Sequence, residues 1–135
     1  MSRKIARELA FKVVFSVDFQ HENEDIEELI ANLKNETKEI TQEDEGYIND
    51  IVHGVISRKE ELDEKIKKYL KSWTMDRISK TDLAILRLAI YEITYREDIP
   101  YKVSVNEAIE LAKTFSDSTS SSFINGVLAG VVAEL

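Results

Sequence analysis

Arg3, Lys4 and Arg7 crowd the start of the sequence, and Phe11 and Phe15 follow Arg7 at four-residue steps. That spacing places side chains on one row of a helix. Cations beside an aromatic row could hold a phosphate while a base stacks on a ring. The same residues also fit a plainer description, a solvated charged end followed by a core stripe, which is the commoner fate of phenylalanine in a helix. On the residues alone Phe11 is assigned to the core, and Phe15 stays open between the two uses.

Catalytic chemistry finds little to work with. His21 and His53 lie in different segments, no histidine pair has helical metal-ligand spacing, and no glycine-rich phosphate loop occurs. The absence of cysteine excludes disulfides, thiolate zinc sites and a cysteine nucleophile. Carboxylates are plentiful but fall mostly on outward helical faces. The expectation is therefore no enzyme, no cofactor and no metal. Arg87 and Glu92 interrupt the most apolar stretch, where a buried ion pair or hydrogen-bonded anchor is their plain role. Asp82 stands at a helix start, where its charge faces the positive helix end, although an exposed carboxylate there would also suit a basic partner. Asn125 and Gly126 suggest close packing or a buried hydrogen bond in the last apolar segment.

The charge is unevenly spread. The 18 Lys and Arg against 26 Asp and Glu give a net charge of −8, which argues against a general nucleic-acid binder, since phosphate affinity rests on cations. Residues 1–15 nevertheless carry Arg3, Lys4, Arg7 and Lys12 against Glu8, a net +3, whereas residues 16–50 carry twelve carboxylates against Lys34 and Lys38, a net −10. A basic tip on an acidic body attracts an anion at one place and repels it elsewhere. The N-terminus has no continuous apolar signal region, and the stretch from Leu83 to Ile93 is shorter than the roughly 20 residues a membrane span needs. A soluble, cytoplasmic protein is expected.

These residues need a scaffold, and the pattern supplies an all-α one. A chain of 135 residues with 43% apolar and 33% charged content makes a single domain over 1–135, and one proline with four glycines disfavours turn-rich β architecture. Ser2 is placed to cap a first helix carrying Ile5, Leu9 and Val13, then Ala6, Ala10, Val14 and Val17, and Phe11, Phe15 and Phe19. After the polar stretch His21 to Glu24, Ile26, Leu29, Ile30 and Leu33 mark a second helix. Thr41 caps a third. Ser57 with Glu60 has the reciprocal capping pattern for a fourth, with Leu62, Ile66, Tyr69 and Leu70 inward. Trp73 to Ile78 reads as a connector, and Ser79 caps a fifth helix that is apolar around most of its circumference. Pro100 ends that run. Ser104 with Glu107 reads as a capping box opening the sixth helix. The run Ser116 to Ser122 reads as a loop, and the seventh helix starts at Phe123.

With these residues in place, the sequence resembles the NusB family along nearly its full length. The matching blocks are Ala6-Arg7-Glu8, Trp73 to Arg77, Asp82 to Glu92 (DLAILRLAIYE), Ile99 to Phe115 (IPYKVSVNEAIELAKTF) and Phe123 to Leu128 (FINGVL). The resemblance implies a seven-helix bundle of two packed helical subbundles and a role in processive transcription antitermination, notably of ribosomal RNA operons. It further implies binding to boxA-type single-stranded RNA, to the small-subunit ribosomal protein NusE, and to the antitermination complex on RNA polymerase. Carried over by position, the RNA surface comprises Arg3, Lys4, Arg7, Phe15, Ser120, Ser122 and Phe123, and the partner surface comprises Tyr69, Leu70, Asp76 and Asp82. Two departures stand out. Ile5 interrupts a segment that is often continuously basic, and Thr119 stands where relatives often carry an acid. Of the alternatives, a helical interaction scaffold or homo-oligomer without RNA contact is the main one. Related modules also occur in RNA methyltransferases, but this chain lacks room for the catalytic domain.

Overall fold

Every regular element is helical among the residues described by the computed structural model, which are 3–19, 25–37, 40–71 and 74–135. The elements are α1 (Arg3–Phe19), α2 (Ile26–Glu36), α3 (Gln42–Ser57), α4 (Lys59–Lys68), α5 (Lys80–Tyr95), α6 (Tyr101–Phe115) and α7 (Ser120–Ala133), with a short 3₁₀ turn at Met75–Arg77. Ser2, the stretch His21 to Glu24, Trp73 and the side chain of Phe19 lie outside the described residues.

The centre of the molecule is α5. Every residue from Asp82 to Glu92 is buried, as expected for a helix apolar on most faces. It packs against α1 and α3 on one side and against α6 and α7 on the other, with α4 alongside. The α1–α2–α3 group and the α5–α6–α7 group are thus joined through α1 and α3 against α5. Ile48, Ile51, Leu62, Ile66, Ile85, Leu86, Leu88, Ile90, Ile124 and Leu128 are among the largest side chains wholly inside.

Local chemistry sets the helix starts. Thr41 and Asp44 form a reciprocal capping box at α3, the Thr41 hydroxyl accepting from the Asp44 N–H at 3.0 Å. Asp25 caps α2 through the Glu27 and Glu28 N–H groups, and Ser79 caps α5 through the Asp82 N–H at 3.1 Å. Three boundaries differ from expectation. Ser57 does not open α4: it is the last residue of α3, its hydroxyl donates to the Gly54 carbonyl, and Arg58 serves as the junction of both helices. Ser104 does not open α6, which starts at Tyr101 after Pro100. Proline supplies a preset φ there and gives up an N–H that a first turn leaves unpaired, so the Ser104 hydroxyl is free for a tertiary bond. Finally, α7 begins at Ser120 and not at Phe123, because Asp117 accepts from the N–H groups of Thr119 and Ser120 and so nucleates the turn from within the polar run.

Two glycines allow close approach. A Cβ at Gly54 would lie 2.2 Å from the Tyr91 ring, and one at Gly130 would lie 2.3 Å from the Tyr69 ring.

Candidate functional site

The basic end of α1 divides into paired and unpaired cations. Arg3 makes a 3.3 Å ion pair with Glu43 of α3, and its guanidinium lies 4.5 Å above the Tyr47 ring. Lys4 and Lys12 are exposed and make no ion pair among the described residues. Arg7 differs from its expected place on the surface. It is 3% exposed, and its Nε and Nη2 donate to Glu92 at 2.8 and 3.2 Å, with Glu107 at 3.6 Å. The physical reason is helical phase: the row of Arg7 is the row that faces α5, so its charge is spent on a buried carboxylate.

Glu92 is wholly buried and is the hub of that end of the molecule. Besides the two bonds from Arg7, it accepts from the Ser104 hydroxyl at 2.7 Å and from the Tyr47 hydroxyl. Each oxygen receives two donors, which fills the acceptor capacity of a carboxylate. Burial works against the Arg7 charge, but the hydrogen bond and charge of Glu92, with Tyr47 and Glu107, raise its pKa above the ordinary arginine value. Burial and the charge of Glu92 also push the Tyr47 phenol far up, so it stays a donor. Arg87 is anchored similarly, bidentate to Asp63 at 2.8 and 3.1 Å and 3.3 Å from Asp18. The two charges that interrupt α5 in the sequence are therefore ion-pair anchors, Glu92 to α1 and Arg87 to both α4 and α1.

Phe11 is core, 3% exposed, and Phe15 is half-buried with its ring 6.1 Å from that of Phe11. At the other end of the site, the loop between α6 and α7 lies beside the start of α5. Asp82, 8% exposed, accepts from Ser116 and Ser120 hydroxyls, both at 2.9 Å. Asp82 and Ser120 are thus committed to each other, one expected to meet a protein partner and the other RNA. Both also line a groove of about 570 Å³ with Phe123, Asp117, Thr119 and Arg77. Ser122 is exposed beside it. The Asp117 carboxyl is held below its usual range first by the Thr119 hydroxyl and then by the Ser120 N–H.

The remaining expected partner residues lie elsewhere. The half-buried Tyr69 stacks against Gly130, and Leu70 packs on the core. Asp76 is exposed in the 3₁₀ turn and accepts from the Thr74 hydroxyl. The structure therefore brings Ser120, Phe123 and Asp82 to one groove, and keeps Arg3 and Lys4 together at the end of α1. The sequence reading missed the loop-capping role of Asp117 and the convergence of Tyr47 and Ser104 on Glu92. An isolated glutamate inside an apolar helix was the available signal, but its partners lie up to 85 residues away.

Comparison with known proteins reaches nearly the whole chain. The model of the NusB family matches residues 4–133. Transcription antitermination protein NusB of Acetivibrio thermocellus is 48% identical over 132 residues, which are 98% of this chain and 89% of that one. Among solved structures, T. maritima NusB is similar with a TM-score of 0.89 at 31% identity, covering 99% of this chain and 92% of that one. A structure of the antitermination factors NusB and NusE in complex with dsRNA is similar with a TM-score of 0.86 at 26% identity, covering 98% and 97% of the two chains.

Proposed function

The chain belongs to the NusB family, and on that premise we propose that it is a transcription antitermination factor which binds boxA-type RNA together with a NusE-like ribosomal protein and promotes processive transcription, notably of ribosomal RNA operons. The observation that carries the reading is the near-complete match to the NusB chain of a complex with NusE and RNA. The work is recognition and assembly, with no catalytic step.

In this reading RNA phosphates meet Arg3 and Lys4 at the end of α1, and the strand continues past Phe15 to Ser122 and Phe123. Arg7 and Ser120 support these contacts from beneath, through Glu92 and Asp82 respectively. Tyr69, Leu70 and Asp76 belong to the surface for the NusE-like protein, and Asp82 fixes the loop between the two surfaces. A net charge of −8 opposes RNA over most of the body, so a partner that supplies cations strengthens binding.

The test is a four-way titration of labelled boxA RNA and a scrambled control, each with and without NusE. Preference for boxA RNA that widens when NusE is present supports the reading. Equal, weak binding in all four titrations refutes it.

A further inference from the structure

The unpaired cations of α1 sit on a different row from the one the sequence singles out. Lys4 and Lys12 share a row with Glu8 between them, two turns apart and so about 12 Å along the axis. The Lys12 ammonium lies 5.9 Å over the ring of Phe115, the last residue of α6. That half-buried ring is 5.0 Å from Phe11, which in turn neighbours Phe15. Ser116, the next residue, opens the loop that closes on Asp82.

We infer that Lys12, seated on Phe115, is a further RNA phosphate contact that links the basic end of α1 to the loop before α7; the inference rests on the RNA-binding function proposed above. Three observations support it. The Lys12 charge is exposed and has no carboxylate partner among the described residues, unlike Arg3 and Arg7. Its position over an aromatic face holds the ammonium in place without neutralising it. It also occupies the gap between two groups of expected contacts that nothing else on α1 bridges with positive charge.

The seam between α1 and α6 shapes how a strand would lie. Next to Lys4, that seam is lined by Glu8, Glu107 and Glu110. Carboxylates there repel phosphate, so the backbone is held at Lys4 and again at Lys12 but not between them.

The experiment measures boxA RNA affinity against salt, in the presence of NusE, for the parent chain, Lys12→Gln, Glu8→Gln and Lys67→Gln. Lys67 is an exposed residue of α4 paired with Glu64 and serves as the control. Loss of one phosphate contact to a single strand flattens the log–log salt slope by about 0.7, so the affinity lost between about 50 and 200 mM salt shrinks by a factor of about 2.6. Lys12→Gln is expected to show that change, Glu8→Gln to bind more tightly, and Lys67→Gln to match the parent. A Lys12→Gln slope equal to that of Lys67→Gln overturns the inference while parent preference for boxA RNA stands. A parent chain without that preference overturns the functional proposal and this inference together.

Discussion

Replacing Arg7 by Ala separates a buried anchor from a surface phosphate contact. Arg7 is 3% exposed and Glu92 is wholly buried, and two of the four hydrogen bonds accepted by Glu92 come from that guanidinium. Alanine leaves the carboxylate inside the protein with only the Tyr47 and Ser104 hydroxyls. Removing one partner of a buried pair costs about 3–5 kcal/mol because the other charge remains desolvated. Unfolding entropy of about 2.1 cal/mol/K per residue means that each kcal/mol lowers the Tm of a chain of 135 residues by about 3.5 °C, so the expected drop is about 11–18 °C. Thermal denaturation followed by circular dichroism measures it. Assayed well below its own midpoint, Arg7→Ala keeps the parent's RNA salt slope. A Tm within about 3 °C of the parent, accompanied by a slope shallower by about 0.7, would refute the buried-anchor argument and place Arg7 on the RNA.

Asp18 gathers Arg87, Lys59 and Lys80 at 3.3–3.4 Å. Burial alone would raise its pKa, but Arg87 and then the two lysines lower it below the ordinary value of 3.8. Its contribution is complete above the unfolded-state value and fades as pH falls through the lower folded value; urea midpoints for Asp18→Asn should therefore trail the parent at pH 7 and converge with it in strong acid. A constant gap across that range would exclude the carboxylate as the source. Gly54→Ala forces a methyl into the Tyr91 ring, which is tethered to Asp50 through a 2.7 Å bond, so a loss of about 1–3 kcal/mol is expected in urea titration. Gly46→Ala meets nothing within 4 Å and is expected to stabilise α3 by about 0.5–1 kcal/mol; equal effects at the two sites would contradict the packing argument. Asp82→Asn places an amide against the Ser116 and Ser120 hydroxyls, and faster hydrogen exchange over residues 116–121 is the expected outcome; unchanged exchange would mean that the carboxylate does not fix the loop.

What could be read from the sequence was local or periodic. Thr41 and Ser79 cap the helices they were expected to cap, because an N-cap needs only the next three residues. The apolar circumference of α5 likewise announced its burial. Ser104 has the same local pattern as Thr41, yet its hydroxyl binds Glu92 of the preceding helix, and Pro100 has already started α6. The capping pattern at Ser104 was thus outcompeted by a tertiary bond that sequence spacing does not reveal. The site shows the same limit. Composition located the positive charge on α1, but whether a cation reaches solvent depends on a one-residue change of phase, which buries Arg7 and exposes Lys4. The serine run was visibly polar, but the use of Asp117 to start a helix inside it depends on the fold of the loop.

The hub at Glu92 also bears on the order in which the chain assembles. Its donors come from residues 85, 45 and 12 positions away, and Arg7 additionally reaches Glu107. During synthesis, α1 leaves the ribosome long before α5 and α6 exist to neutralise its buried arginine. Contacts of such sequence separation slow folding, because a long loop must close before they form. The basic end of α1 therefore reaches its final setting only after α6 has been made, and a nascent chain halted before Glu92 should present Arg7 to solvent as an ordinary cation.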